Sequence, residues 1–292
     1  MTTDLYFLVP VPRSETVAEQ KYLYRCLETL FASFAGQTDG RYEMRVICEE
    51  GVDLPELPPR GVRFDVPISV GWPANWDPQD IQPGQLEEGR RLLAGLDGID
   101  KRAFVMRVAP TDLLDREVVH TIQEGPAGPD GWVIDRGYIW FDGQSELYEA
   151  DGLQLACAST VAVRAKYLKC FSSDVPREEM LMELGSMTAW FELLNQAGRT
   201  FSRLPYRGVI YRRGAQGGAP RTGEGGGAAW LGGARPGAVL ESLKRIVGAE
   251  RQSAPGPADM LTCHWDRSHE FSGELYRSMT GGAAHSTTTS AA

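Results

Sequence analysis

The sequence lacks long hydrophobic runs and an excess of basic residues. No segment approaches the roughly 20 consecutive apolar residues that cross a bilayer, so no transmembrane segment is predicted. The 39 acidic residues outnumber the 30 basic ones and give a formal net charge of −9, which would repel polyanions. Nucleic acid is therefore not an expected partner. The amino-terminal residues have neither a basic leader nor a cleavage site, which favours a cytoplasmic protein and leaves peripheral membrane association open.

Paired cysteines are also missing. The five cysteines form no CxxC motif, which indicates buried thiols in a reducing compartment rather than a zinc site. His264 and His269, with Cys263 and Asp266 beside them, have the residue types of a metal site. Histidines in a loosely patterned carboxyl-terminal segment are more often surface residues, so no metal is predicted there.

Alternating apolar segments indicate the fold class. Residues 5–11 are a continuous apolar run that ends in prolines, which is typical of a buried parallel strand. Apolar residues then recur at spacings of three and four through residues 17–34, and Gly36 ends the predicted helix. Further strands are predicted at residues 42–48, 62–66, 103–108, 132–141, 153–163 and 209–211, and further helices at 84–96, 112–123 and 178–197. This order predicts an α/β fold, a mostly parallel sheet flanked by helices.

The end of the strand at residues 103–108 is the most informative position for chemistry. In open α/β sheets, ligands bind beyond the carboxyl ends of the strands, where loops converge. Asp112 follows that strand in the segment FVMRVAPTDLL.

The chain resembles the bacterial glycosyltransferases with a GT-A fold, of the polysaccharide-biosynthesis type. The resemblance covers about residues 4–213 and rests on the order of the segments VPVP, SFAGQTDG, YEMRVICEE, FVMRVAPTDLLDREVV, GWVIDRGYIW, CASTVAVRA and FSRLPYRGVIY. It implies a GT-A-like (Rossmann-like) sheet. It also implies transfer of a sugar from a nucleotide-sugar donor to a hydroxyl of a glycan acceptor.

Together these patterns suggest four regions. Residues 1–213 are predicted as the GT-A-like domain, and residues 214–237 as a loop or linker, because glycine and alanine bury too little surface to order it. Residues 238–279 are predicted as a carboxyl-terminal helical appendage and residues 280–292 as a disordered tail.

The resemblance also implies a divalent cation, Mn or Mg, held by an Asp-x-Asp-Asp motif at the strand end. Here the motif is degenerate, because Ala109, Pro110 and Thr111 precede Asp112. With an ungapped alignment only the last acid remains, whereas a slip of one residue makes Asp112 the second acid. The resemblance thus makes Asp112 a candidate catalytic residue and metal ligand, with Thr111 as a candidate donor contact. The alternative is that Asp112 caps the next helix.

Cationic and acidic residues elsewhere are further candidates for the donor site. Arg90, Arg91 and Arg107 are candidate diphosphate contacts, because a guanidinium pairs bidentately with phosphate oxygens. Asp80 precedes the helix at 84–96, where related enzymes place acids that contact the nucleotide or sugar; the alternative is a solvated turn. The aromatic pair Trp72 and Trp76 is a candidate wall for a sugar or base, or else core packing.

A base must accept the proton of an attacking acceptor hydroxyl. Glu178, Glu179 and Glu183 lie on a late predicted helix, and Glu183 is our candidate base; a solvated helix face is the alternative. Where relatives often carry a histidine, the segment GSMTAWFELL has none.

Two other functions are compatible with the sequence. The degenerate motif favours, as an alternative, a catalytically degenerate glycosyltransferase-like protein that binds a glycan, a nucleotide or a protein partner. A nucleotidyltransferase would require a glycine-rich loop after the first strand, where Pro10 and Pro12 stand instead.

Overall fold

The computed structural model describes residues 5–14, 16–67, 83–125, 130–142, 147–168, 177–186, 189–213 and 250–251. The predictions for Trp72, Trp76, Asp80, His264 and His269 lie outside these residues, as do the predicted linker at 214–237 and the tail at 280–292. No helix in the described part of the chain combines the length and the apolar character of a bilayer crossing.

The helices and strands follow one another along the chain as follows. They are β1 (Leu5–Pro10), α1 (Val17–Ala35), β2 (Glu43–Glu49), β3 (Gly61–Val66), α2 (Pro83–Gly95), β4 (Phe104–Arg107), β5 (Leu113–Leu114), α3 (Val118–Glu124), β6 (Gly131–Val133), β7 (Arg136–Phe141), β8 (Leu147–Asp151), β9 (Val161–Arg164), α4 (Arg177–Gly185), α5 (Ala189–Gln196), β10 (Phe201–Arg203), β11 (Val209–Arg213) and β12 (Glu250–Arg251).

Among the described residues, the main sheet has seven strands in the order β10-β6-β9-β4-β1-β2-β3. Pairing is parallel between β10 and β6 and across β4, β1, β2 and β3, whereas β9 is antiparallel to both of its neighbours. Apolar residues of α1 and α3 are buried in one core, and those of α2, α4 and α5 in another. The predicted α/β fold, a mostly parallel sheet flanked by helices, is confirmed.

Helix α1 begins and ends where the sequence predicts. Its first turn is closed by a capping box, in which the Thr16 hydroxyl accepts the Glu19 N–H at 3.2 Å and the Glu19 carboxylate accepts the Thr16 N–H at 3.0 Å. Gly36 is the residue that caps its other end. The buried face consists of Leu23, Cys26, Leu27, Leu30, Phe31, Ser33 and Phe34. This apolar stripe packs α1 against the sheet.

Arg45 fixes the carboxyl-terminal end of α2. Its Nη1 donates to the Gly95 and Asp97 carbonyls at 2.8 and 2.5 Å, so a buried cation meets the partial negative charge of a helix end. Its guanidinium also lies 4.9 Å from the centre of the Tyr6 ring and 4.8 Å from that of Phe64. Side chains from three adjacent strands, β1, β2 and β3, thereby fix the carboxyl-terminal end of α2.

Helices α2 and α4 cross so closely that two glycines are required. A Cβ at Gly89 would lie 1.8 Å from the Leu181 carbonyl oxygen, and one at Gly185 would lie 1.8 Å from that of Gln85. Neither position could hold a larger residue unless the helices moved apart. The crossing sets where α4 lies relative to the sheet.

The structure also has a second sheet that was not predicted, with five strands in the described part of the chain in the order β12-β8-β7-β11-β5. The predicted strand at 132–141 is two strands, β6 in the main sheet and β7 in the second. Strand β11 belongs to the second sheet, and β10 and β3 are the edge strands of the described main sheet. Strand β12 lies within the predicted appendage yet pairs with β8, so the carboxyl-terminal region adds a strand to this sheet.

Other boundaries also differ from the predictions. The predicted strand at 153–163 is a 3-10 turn, Leu153–Leu155, followed by the shorter β9. The predicted helix at 178–197 is divided into α4 and α5, and α3 begins at Val118 rather than near residue 112.

Candidate functional site

The order of the strands predicts a ligand-binding crevice at the carboxyl ends of β1 and β4. From β1 the chain proceeds to β2 on one side and later to β4 on the other, so the topology reverses between β1 and β4. Open α/β sheets bind ligands beyond the carboxyl ends of the strands at such a point. The loop after β1 contains the exposed Arg13, and Ala109, Pro110 and Thr111 after β4 are half-buried.

Asp112 lies next to this crevice but is completely buried. Its Oδ2 accepts hydrogen bonds from Ser159 Oγ at 2.6 Å and Cys157 Sγ at 3.2 Å, and Thr111 Oγ1 donates to its Oδ1 at 3.4 Å. Ser159 Oγ also accepts the Ala109 N–H at 2.8 Å. Asp112 therefore holds the loop between β4 and β5 against the segment that precedes β9.

The alternative assignment of Asp112 as a helix cap is wrong. Helix α3 has Glu117 as its N-cap residue, without a side-chain cap hydrogen bond. The Glu117 N–H is instead accepted by Asp115 Oδ1 at 2.8 Å.

The surroundings of Asp112 change its acidity. Burial raises the pKa of Asp112 to about 6, while the hydrogen bonds from Ser159 and Cys157, the Arg212 N–H and the charge of Arg213 oppose that rise. The desolvation of the carboxylate outweighs its hydrogen bonds.

We expect the stability difference between the wild type and Asp112→Asn to depend on pH. A carboxyl whose pKa is higher in the folded than in the unfolded protein takes up protons on folding. Its contribution to stability is fully present below its pKa in the unfolded protein and is lost as the pH rises through about 6. The free energy of unfolding of the wild type, relative to the variant, should fall by about 2 kcal/mol from about pH 4.5 to about pH 7. Urea denaturation at each pH measures this difference. If the difference in free energy of unfolding stays constant or increases as the pH rises, the raised pKa of Asp112 is contradicted.

The residues at the strand end do not fit a divalent cation. The Asp112 carboxylate is shielded from solvent and accepts hydrogen bonds from side chains at both oxygens, and Ala109 and Thr111 supply no carboxylate. Within the described ranges there is no group of three or more His, Cys, Asp or Glu side chains that could hold a metal ion. The described residues at this strand end therefore do not form a metal site.

The predicted diphosphate contacts on α2 and β4 have partners within the protein. Arg107 is buried and forms an ion pair with Glu88, and its Nη1 donates to the Gly185 and Ser186 carbonyls, both at 3.0 Å. Burial raises the pKa of Glu88, an effect that the charge of Arg107 opposes. These contacts join β4, α2 and the end of α4.

Arg91 and Arg90 lie on the same helix. The Arg91 guanidinium is buried and lies 3.1 Å from the Glu49 carboxylate and 3.6 Å from that of Glu87. Arg90 is half-buried. Contacts from Arg90, Arg91 and Arg107 to a donor stay predictions.

Glu183 is half-buried on α4, two residues before the Gly185 carbonyl that Arg107 contacts. The structure thus gathers Arg91, Arg107 and Glu183 on the α2 side of the sheet. Thr111 and Asp112 lie at the strand end beside β11. The side chains of Glu178 and Glu179 lie outside the described residues.

One residue near the strand end was missed from the sequence. Arg213 is the last residue of β11, and its Nη1 donates to the Tyr211 hydroxyl at 2.6 Å. The available signal was a pair of arginines directly after the apolar residues VIY, which places a cation at a strand end.

No protein-family model and no curated protein sequence matches the chain. Among solved structures, the crystal structure of S. aureus TarS 1–349 is similar at 14% identity and a TM-score of 0.39, over 72% of this chain and 60% of that one. The same fragment in complex with UDP-GlcNAc has 15% identity and a TM-score of 0.39, over 74% and 60%. A longer TarS structure has 14% identity and a TM-score of 0.37, over 72% and 37%. Likeness at this level carries no argument about substrate or residues.

Proposed function

We propose that this chain binds a nucleotide-sugar donor beyond the carboxyl ends of β1 and β4 and transfers the sugar to a hydroxyl of a glycan acceptor. The observation that carries the proposal is the reversal of strand order between β1 and β4, next to the half-buried loop Ala109–Thr111. The resemblance of residues 4–213 to GT-A glycosyltransferases supports the same reaction class. Residues 1–213 are proposed as the catalytic domain and residues 238–279 as an appendage to it.

The reaction requires an acceptor oxygen to attack the anomeric carbon while the bond to the diphosphate breaks. Negative charge develops on the leaving phosphate and must meet fixed positive charge or hydrogen-bond donors. In our proposal Thr111 contacts the donor, and Asp112 is a positioning residue that holds the loop after β4. Glu183 on α4 is the proposed base. Donor contacts from Asp80 and Arg90 stay predictions.

A second candidate function is binding without transfer. It is favoured by Ala109 and Thr111, which stand where carboxylates are expected, and by the enclosure of Asp112 among Ser159, Cys157 and Thr111. Such a protein would retain the crevice for a glycan, nucleotide or protein partner.

The test is to incubate the protein with UDP-, GDP- and dTDP-sugars and a panel of oligosaccharides, with EDTA or with manganese. We expect release of nucleoside diphosphate that depends on the acceptor. Glu183→Gln should lower this rate about 100-fold or more if Glu183 is the base. Glu192→Gln is a matched control on the exposed face of α5 and should leave the rate unchanged.

The outcomes separate the candidates. Nucleotide binding by calorimetry without acceptor-dependent release would favour the non-catalytic function. Neither binding nor release with any donor would refute the proposed transfer and leave only binding of a glycan or a protein partner.

A further inference from the structure

The arginines near the crevice differ in how their charge is compensated. Arg91 forms an ion pair with Glu49, and Arg107 forms one with Glu88. The Arg213 guanidinium donates to the uncharged Tyr211 hydroxyl, and among the described residues no carboxylate lies within ion-pair distance of it. Arg213 therefore retains positive charge that a ligand can use.

Strand pairing shows where this charge lies. Strand β11 is antiparallel to β5, with Val209 opposite Leu114 and Ile210 opposite Leu113. Beyond these pairs, the Arg212 N–H donates to the Asp112 carboxylate, so Arg213 directly follows a residue that contacts Asp112. The charge of Arg213 also acts on the pKa of Asp112, which it lowers, so the two groups are close in space. The half-buried Arg213 side chain thus lies beside the positions where carboxylates were expected to hold a cation.

The neighbouring arginine on β11 has a different role. Arg212 is buried, its Nε donates to Asp142 Oδ1 at 2.5 Å, and its guanidinium lies 4.8 Å from the centre of the Trp140 ring. Side chains alternate along a strand, so Arg213 and Tyr211 share the opposite face. The Tyr211 hydroxyl holds the Arg213 guanidinium on that face, which lowers the entropy cost of ligand binding.

We propose that Arg213 binds the diphosphate of the donor in place of a divalent cation, so that nucleotide binding requires no metal. The identity of the ligand rests on the proposed function. A guanidinium matches the geometry of phosphate oxygens and keeps its charge at all physiological pH values. Arg213 therefore supplies the positive charge that a metal ion would otherwise provide, because Ala109 and Thr111 have no carboxylate to bind one.

Calorimetric binding of UDP, GDP and dTDP in EDTA, compared with the matching nucleosides, tests the proposal. We expect at least one diphosphate to bind with the same affinity in EDTA and in manganese. Arg213→Gln should weaken that binding by about 10- to 100-fold and leave nucleoside binding unchanged, because a charge-assisted hydrogen bond pair is lost. Arg213→Lys should restore part of the affinity. Arg203→Gln removes an exposed arginine at the end of β10 and should have no effect.

Each failure has its own signature. Diphosphate binding that is lost in EDTA, or that is unchanged in Arg213→Gln, would overturn the role of Arg213 and leave the proposed function intact. Equal weakening of diphosphate and nucleoside would show that Arg213 acts on the fold and would also overturn it. Absence of any nucleotide binding by the wild type refutes the proposed function itself.

Discussion

Replacing Arg107 with methionine is expected to lower the free energy of unfolding by about 3–5 kcal/mol, because it removes one member of a buried ion pair. The change leaves the Glu88 carboxyl without its cation and frees the Gly185 and Ser186 carbonyls at the end of α4. Urea denaturation at neutral pH measures the loss.

A double variant and a surface control sharpen this result. Arg107→Met with Glu88→Leu should recover much of the loss, since the uncompensated acid is then gone. Arg203→Met breaks an ion pair with Asp135 in which the arginine side chain is mostly exposed, and should cost less than about 1 kcal/mol. If the double variant loses as much free energy of unfolding as the two single variants lose together, Arg107 and Glu88 do not act as a pair.

The second large effect is expected for Gly185→Ala. Helix propensity alone predicts that alanine stabilises a helix by about 1 kcal/mol relative to glycine. The new Cβ would lie 1.8 Å from the Gln85 carbonyl oxygen and 2.9 Å from the Gly89 nitrogen, so α2 and α4 must separate. We expect a net loss of about 3 kcal/mol, at the upper end of overpacking costs.

Thermal and urea unfolding measure this change. Glu192→Ala, on the exposed face of α5, is the matched control and should change stability by less than about 0.5 kcal/mol. A Gly185→Ala protein as stable as the wild type would mean that the two helices are not packed through these glycines.

Several elements could be predicted because local sequence determines them. Helix α1 has a capping box at Thr16, a stripe of apolar residues and a terminal glycine, and all three signals agree. Strands β1, β2 and β4 are buried apolar runs bounded by polar residues or prolines, so the parallel part of the sheet followed directly.

The second sheet could not be predicted, because its strands depend on distant pairing. The turn between β6 and β7 falls at Ile134 and Asp135, without a glycine or proline to signal a break. Strand β5 has two residues and exists only through its pairing with β11. Such pairing is not encoded in local periodicity.

The position of Asp112 at a strand end was predicted, but its surroundings were not. Ser159 and Cys157 lie more than forty positions along the chain, and no local pattern relates them to Asp112. Arg213 was overlooked for the same reason, since its place near Asp112 follows from the contact between the Arg212 N–H and the Asp112 carboxylate.

The two sheets are joined in a way that bears on how the molecule loses its structure. The chain passes from the seven-stranded sheet to the five-stranded one through residues 108–112, and again at Ile134, whose N–H donates to the Thr160 carbonyl at 2.8 Å. The Asp112 carboxylate in the first connection accepts a hydrogen bond from Ser159, which lies just before β9 of the seven-stranded sheet. Separation of one sheet from the other would therefore break this hydrogen bond. Both sheets therefore belong to one cooperative unit, and denaturant should melt them in a single transition.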